Sequence, residues 1–138
     1  MILLDTHTLV WTVMGSQRLG KQFRATLESA WNEGSVAASS FVFWEIAFLQ
    51  SKGRLEVVQP PRHMRDQLLA NGMSIIPVDD EIAIRSVELG TEGFHPDPAD
   101  RIITATAILG GYRLATVDRA ITEWADRTRL VSILDPKT

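Results

Sequence analysis

Four carboxylates that are widely separated along the chain have the types and settings of a metal-binding site. Asp5 directly follows the apolar run Ile2–Leu4, and Asp118 directly follows another apolar segment. Asp100 falls in the first turn of a predicted helix, and Glu45 falls about one turn into another. The chain has no cysteine, which excludes thiolate ligands, so clustered carboxylates would favour a hard cation, Mg²⁺ or Mn²⁺. Two such ions about 3.5–4 Å apart would stabilise both the attacking and the leaving oxygens of an in-line phosphoryl displacement.

Glu45 is the acid that is hardest to explain without a bound partner. It is the only charged residue between Ser40 and Gln50, and all its neighbours in residues 41–49 are apolar. Lys52, the nearest basic residue, lies seven positions away, beyond the spacing at which helical side chains meet. A glutamate is almost never fully buried without a partner, so the pattern favours a bound cation. The alternative is an exposed stripe on a helix that contributes to an oligomer.

Three of the four acids, Asp5, Asp100 and Asp118, also have structural interpretations as residues of helix N-termini. Asp97 is the predicted N-cap of the helix that contains Asp100, and it needs no chemical role. A carboxylate at Asp100 would be stabilised by the helix dipole by roughly 0.3–1 kcal/mol. Asp118 and Asp5 could each cap the helix that follows, although Asp5 abruptly ends a buried strand. For Asp100 and Asp118, structural and chemical roles remain open alternatives.

Four further residues are weaker candidates for contacts with substrate or with the acids: Thr6, Arg101, Thr104 and Thr116. Thr104 lies one helical turn after Asp100, on the same face, and so is expected to line a pocket there. Thr116 precedes Asp118 by two positions in a predicted strand, and its hydroxyl could bond a carboxylate or water. Arg101 could contact phosphate or form a surface ion pair, and the sequence does not decide between them.

The histidines and tryptophans carry weaker signals. His7 and His95 lack the paired helical spacing of a metal site, so we interpret them as ordinary polar residues, although either could touch substrate or metal. Trp11, Trp31 and Trp44 are predicted to anchor the core or an interface and not to stack on bases.

A parallel sheet is the element that would bring the acids together. Five short apolar segments are predicted strands: Ile2–Leu4 and residues 36–38, 74–78, 112–117 and 129–134. Helical patterns cover residues 20–34, 40–53, 60–72, 79–90 and 97–111, with a short helix around 121–125. Apolar strands separated by helices require crossover connections, and ligands of such sheets bind beyond the carboxyl ends of the strands. We therefore predict a three-layer α/β fold with a central parallel sheet of about five strands flanked by helices.

Two of the helices have predicted faces. The helix at residues 79–90 carries Ile82, Ala83 and Val87 on one side. Residues 102–109 are apolar on nearly every side, so this segment is expected to pack deep against the sheet.

The overall composition bounds the class of protein. A chain of 138 residues with 45% hydrophobic residues suits a single domain, 1–138, with its own core. A net charge of −3 argues against a module that coats nucleic acid by neutralising phosphates, but not against a nuclease with bound cations. The N-terminus lacks the basic leader of a signal peptide and the longest apolar run is too short for a membrane span, so we expect a cytoplasmic location.

The motifs together resemble those of the PIN-domain nucleases, and most of all the VapC-type ribonuclease toxins of bacterial toxin–antitoxin pairs. The resemblance rests on LLDT at the N-terminus, SFVFWEIA in mid-chain, HPDPADRIITATA, and then LATVD. Each motif alone is weak, but four acids in this order and in these local settings are a strong signal. The resemblance extends from residue 2 to about residue 134.

The resemblance implies roles for particular residues. Asp5, Glu45, Asp100 and Asp118 match the four family acids that hold Mg²⁺ or Mn²⁺ and support endonucleolytic hydrolysis of RNA. It also implies a homodimer and a small antitoxin partner that covers an apolar groove near the acids. The aromatic helix around Glu45 could supply part of that groove or of the dimer contact. Products with 5′-phosphate and 3′-hydroxyl ends are expected from the two-metal mechanism.

Three other classes of protein were weighed against this interpretation. A non-catalytic RNA- or protein-binding module of the same fold would not need all four acids. A phosphoacceptor domain of the response-regulator type needs an acidic pair near the first strand and a lysine after a late strand, but Asp5 stands alone and Lys137 lies at the tail. A dinucleotide-binding enzyme is disfavoured because no GxGxxG follows the first strand.

Overall fold

A computed structural model describes residues 1–55 and 59–138 and contains one five-stranded parallel sheet in that part of the chain. The strands, in chain order, are β1 (Ile2–Leu4), β2 (Val36–Ser39), β3 (Ser74–Ile76), β4 (Arg113–Ala115) and β5 (Ser132–Leu134). Their spatial order is β3-β2-β1-β4-β5, and every neighbouring pair is parallel. The prediction of a central parallel sheet of about five strands is confirmed.

Helices connect the strands, as parallel pairing requires. They are α1 (Thr6–Met14), α2 (Lys21–Asn32), α3 (Phe41–Ser51), α4 (Pro61–Ala70), α5 (Asp80–Thr91), α6 (Pro98–Gly110) and α7 (Arg119–Thr128). The predicted start of α6 is confirmed, with Asp97 as N-cap and Pro98 in the first turn, and Gly111 ends the helix in the left-handed conformation at φ 67°. None of the helices that the model describes is long and apolar enough to cross a membrane.

The central strand β1 is covered on both faces. Ile2, Leu3 and Leu4 are at most 5% exposed, although successive side chains of a strand point to opposite faces. The neighbouring strands contribute Val36, Ala37, Ala38, Leu114 and Ala115 to the same core. Helices therefore flank the sheet on both faces, which confirms the three-layer α/β class.

Helix α1 is an element for which the sequence pattern gave no prediction. Residues 6–14 include Thr6, Thr8, Val10, Thr12 and Val13, whose β-branched side chains lower helix propensity. The helix is fixed by its ends. The Asp5 side chain accepts a hydrogen bond from the backbone N–H of Thr8, and Gly15 adopts a left-handed conformation at φ 61°.

The predicted buried face of α5 is wrong in part. Ile82 is buried as expected, but Val87 is 70% exposed, and Ser86 and Leu89 take the inward positions instead. The buried set Ile82, Ser86 and Leu89 follows the i, i+4, i+7 spacing of one helical face. A small serine is compatible with the extensive contact of α5 with α6.

Three strands are shorter than predicted. β3 ends at Ile76, β4 ends at Ala115, and β5 begins at Ser132. Thr116 and Val117 therefore form a connection between β4 and α7, and Asp118 does not directly follow a strand. This connection still extends the sheet locally, because the backbone N–H of Thr116 donates to Leu134 O at 3.3 Å.

Candidate metal centre

Asp5 lies at the carboxyl end of β1 and is only 8% exposed. Its backbone N–H donates to Ala115 O of β4 at 3.1 Å, so the residue is fixed to the neighbouring strand. One side-chain oxygen, Oδ1, accepts from the backbone N–H of Thr8 at 2.9 Å. Asp5 also lines a cavity at this end of the sheet.

Glu45, on α3, points towards the same end of the sheet. The hydroxyl of Thr6 donates a hydrogen bond to Glu45 Oε1. Thr6 is the first residue of α1 and directly follows Asp5, so this bond joins α3 to the start of α1. The glutamate is thus half-buried and held beside Asp5, and it does not form the separate exposed stripe that was the alternative.

Asp118 is the N-cap of α7, and its Oδ1 accepts from the backbone N–H of Ile121 at 2.9 Å. The backbone N–H of Asp118 donates to Thr116 Oγ1 at 3.1 Å. The Thr116 side chain also acts on Asp5, where it lowers the pKa of that carboxyl against the effect of burial. This buried hydroxyl therefore links the segment after β4 to the end of β1.

Asp100 lies in the first turn of α6, where its backbone N–H donates to Asp97 Oδ1 at 3.2 Å. Asp97 therefore performs the predicted capping role. The carboxylate of Asp100 is paired with His95, whose Nε2 lies 2.7 Å from Asp100 Oδ2. Both side chains are about one-quarter exposed.

The four acids line one cavity of about 310 Å³. Its lining consists of Asp5, Thr6, His7, Glu45, Asp97, Asp100, Val117 and Asp118. These residues come from the ends of β1 and β4 and from α1, α3 and α6, so the cavity collects acids that are far apart in the sequence. Asp97 also lines it, which the capping interpretation did not anticipate.

Burial raises the pKa of two of these acids, Asp5 and Asp100. The pKa of Asp5 is raised by burial, an effect that hydrogen bonds with Thr116 and Thr8 partly oppose. Burial also raises the pKa of Asp100 to about 6, against the hydrogen bond from His95, and the negative charges of Asp97 and Asp118 raise it further. The cavity therefore holds more negative charge than its own surroundings stabilise.

The residues present fit a divalent cation. Within residues 1–55 and 59–138, no lysine or arginine forms an ion pair with any of the four acids, and His95 is the basic group that pairs with Asp100. In that part of the chain, His95, Asp100 and Asp118 form a potential ligand set whose ligand atoms all lie within 4.8 Å of one another. Oxygen donors with uncompensated charge suit Mg²⁺ or Mn²⁺.

Two weaker sequence candidates occupy different positions from those expected. Arg101 does not line the cavity and forms no ion pair with an acid of the described residues. Its guanidinium donates to His95 O at 2.8 Å and to Phe94 O at 3.0 Å. Thr104 is fully buried and does not line the cavity, because α6 turns this residue into the core. Thr6 does contact an acid, through its hydrogen bond to Glu45, and Thr116 accepts a hydrogen bond from the backbone N–H of Asp118.

His95 is the site residue that the sequence interpretation undervalued. The sequence favours an ordinary polar role for it because the three histidines show no paired helical spacing. It precedes α6 and reaches Asp100 from the connecting loop, so helical periodicity could not reveal the pair. Its position five residues before Asp100, in the segment HPDPAD, was the available signal.

Parallel strands, flanking helices and a carboxylate-lined cavity beyond the strand ends define an α/β protein with a candidate cation site. A model of the PIN domain matches residues 2–126. The chain is similar to Ribonuclease VapC22 of Mycobacterium tuberculosis, with 36% identity over 120 residues that cover 87% of this chain and 88% of that protein. The chain belongs to the PIN domain family.

Solved structures show the same fold. VapBC2 from Rickettsia felis, bound to a DNA fragment from its promoter, matches with a TM-score of 0.69 and 20% identity, covering 98% of each chain. A toxin–antitoxin complex from Klebsiella pneumoniae matches with a TM-score of 0.63 and 23% identity, covering 99% of this chain and 98% of that chain. At these identities the similarity concerns the fold.

Proposed function

We propose that this protein is a metal-dependent endoribonuclease, the toxin of a toxin–antitoxin pair, which hydrolyses RNA phosphodiesters at the cavity formed by its four acids. The observation that carries the proposal is the convergence of Asp5, Glu45, Asp100 and Asp118 in one cavity, in a chain that is 36% identical to a named ribonuclease. A domain that only binds RNA or protein has no use for a carboxylate cluster that repels itself when empty.

The four acids would have different roles in binding a cation. Asp5, Asp100 and Glu45, which is oriented by Thr6, would hold it directly or through water, and Asp118 would complete the binding site. When bound there, Mg²⁺ or Mn²⁺ supplies positive charge to the phosphodiester oxygens and lowers the pKa of water. Thr116 accepts a hydrogen bond from the backbone N–H of Asp118 and also acts on Asp5, so it would help to hold the segments that carry these two acids together.

The proposal is tested by RNA cleavage with purified protein. We expect cleavage with Mg²⁺ or Mn²⁺, none with EDTA, and a loss of at least about 100-fold for Asp5→Asn, because a neutral amide binds a divalent cation weakly. Asp79→Asn is the matched control. Asp79 caps α5, away from the cavity, and asparagine caps equally well, so this variant should cleave like the wild type.

The ends of the products test the chemistry separately. Attack by water on the phosphodiester should leave a 5′-phosphate and a 3′-hydroxyl, which end-labelling detects. A cyclic phosphate at the 3′ end would contradict this mechanism. Equal cleavage with Mg²⁺, with EDTA and by Asp5→Asn would contradict the metal-dependent nuclease altogether.

We further propose that the protein acts in the cytoplasm as a homodimer and is inhibited by a small antitoxin protein. The antitoxin is suggested by similarity to VapC22 and by the toxin–antitoxin structures that share the fold. Helix α3 supports the homodimer, since its rings Phe41, Trp44 and Phe48 form a stacked row in which consecutive centroids are 5.1 Å apart. Trp44 and Phe48 are 56% and 41% exposed. Such a surface is typical of a protein interface.

A further inference from the structure

The His95 ring is fixed by stacking on Phe94 and by its contact with Asp100. The ring stacks on Phe94 with centroids 4.6 Å apart and planes 20° apart, and Phe94 meets the edge of Trp124 at 5.0 Å. The Nδ1 atom is buried and has no hydrogen-bond partner in the part of the chain that the structure describes. When Asp100 is ionised, its carboxylate only accepts hydrogen bonds, so in that state Nε2 is the donor to Asp100 Oδ2.

The backbone around His95 is fixed by Arg101. The guanidinium donates to the carbonyl oxygens of both His95 and Phe94, so it closes the loop that precedes α6 onto that helix. On its other side the guanidinium lies against Gly90 of α5, where a Cβ atom would come within 2.8 Å of Nη2. Arg101 directly follows Asp100 in the sequence, but its guanidinium is directed away from the cavity.

We propose that His95 is a positioning residue, which orients the Asp100 carboxylate towards the bound cation, and that Arg101 acts on the site only through His95. The inference rests on the proposed function, because it assumes that a cation binds among the acids. The hydrogen bond from Nε2 fixes Oδ2 and leaves the other oxygen of Asp100 to the cation. Partners of this kind typically change metal affinity 10-fold to 100-fold when they are removed.

Two substitutions separate the hydrogen bond of His95 from its packing. His95→Phe keeps a ring to stack on Phe94 but removes the donor, whereas His95→Gln loses the ring but keeps an amide donor near the position of Nε2. We expect the dissociation constant for Mn²⁺, measured by electron paramagnetic resonance titration, to rise about 10-fold or more in His95→Phe. In His95→Gln it should stay within about threefold of the wild type, with melting temperatures measured in parallel.

Several results would overturn the inference, and they differ from failure of the proposed function. Wild-type protein that binds no Mn²⁺ overturns both. Wild type and His95→Phe that bind Mn²⁺ equally well overturn the inference alone, as does His95→Gln that binds no better than His95→Phe. The spin-echo spectrum of Mn²⁺ bound to the wild-type protein gives a further test that needs no variant. A signal from a directly bound imidazole nitrogen would show that His95 is a ligand and would overturn its role as a positioning residue.

The role of Arg101 is tested by combining substitutions. Arg101→Met keeps the aliphatic stem and removes the donors, so it should weaken Mn²⁺ binding in the wild-type background. In the His95→Phe background, Arg101→Met should change the dissociation constant for Mn²⁺ by less than about twofold. The hydrogen bond of His95, through which Arg101 would act, is already missing in that background. A full additional loss in the double variant would show that Arg101 acts on the cation independently of His95.

Discussion

At the level of single side chains, Asp5 and Asp118 each perform two tasks with different oxygens. In both, Oδ1 accepts a backbone N–H at the start of a helix, so the capping bond occupies one oxygen and Oδ2 lies outside it. The structural and chemical interpretations that the sequence left open for Asp118 are therefore compatible. A cap also fixes the carboxylate in one orientation, and this makes a capping aspartate a more rigid ligand than a freely rotating one.

Asp100 makes the stability of the cation-free protein depend on pH. Its pKa is about 6 in the folded protein and 3.8 ordinarily, so between these values the folded state binds more protons than the unfolded state. The free energy of unfolding should then fall as the pH rises from about 4 to about 6 and stay constant above that. Two pKa units correspond to up to about 3 kcal/mol. Urea unfolding in EDTA, as a function of pH, measures the effect.

Asp100→Asn is the reference for this measurement. Asparagine cannot ionise but can still accept the hydrogen bond from His95, so the variant should lack the Asp100 part of the fall. The difference in unfolding free energy, variant minus wild type, should grow between pH 4 and pH 6 and then level off. Saturating Mg²⁺ should abolish most of that difference by stabilising the ionised wild type. A difference that does not change with pH would contradict the raised pKa.

At the level of elements, caps were as informative as periodicity. The sequence predicted the start and end of α6 because Asp97, Pro98 and Gly111 are strong signals at helix ends. Helix α1 was missed because its β-branched residues obscured the pattern, although Asp5 and Gly15 provide the same kind of cap. The faces of α5 were misjudged because hydrophobicity alone favours Val87 over Ser86, whereas close packing of two helices favours the smaller side chain.

Ser86 is expected to be intolerant of larger side chains. It is buried on the face of α5 that also includes Ile82 and Leu89. Its hydroxyl donates a hydrogen bond to Ala83 O at 2.7 Å. Ser86→Leu should lower the free energy of unfolding by about 1–3 kcal/mol through overpacking, as measured by urea unfolding. Val87→Leu, at the neighbouring exposed position, should change it by less than about 0.5 kcal/mol. Equal effects of the two would contradict the observed face.

At the level of the whole molecule, the sheet order explains why the acids meet. Asp5 follows β1, Glu45 lies in the helix after β2, and Asp118 lies beyond β4; these three strands are adjacent, with β1 in the centre. Parallel strands end at the same edge, so the sequence was sufficient to predict the convergence of these acids. It was not sufficient to predict the pair of His95 and Asp100 or the position of Arg101, because loops that fold back onto a helix leave no periodic signal.

The proposed homodimer makes a prediction about the oligomeric state. If the stacked rings of α3 form the contact between two copies, Phe48→Glu places a charge in an apolar interface without a partner, and the dimer should dissociate at least about 10-fold more readily. Light scattering coupled to gel filtration should then give about twice 15.4 kDa for the wild type and 15.4 kDa for the variant at micromolar concentration.

Leu69→Glu is the matched control for that experiment. Leu69 is 49% exposed, comparable with 41% for Phe48, but it lies on α4, outside the row of stacked rings. This variant should keep the mass of the wild-type dimer, because the added charge lies on a surface that remains exposed to water in the proposed dimer. A wild-type protein of 15.4 kDa at all concentrations would contradict the homodimer. A Phe48→Glu variant that remains dimeric would move the contact away from α3, while dissociation by Leu69→Glu alone would assign it to α4.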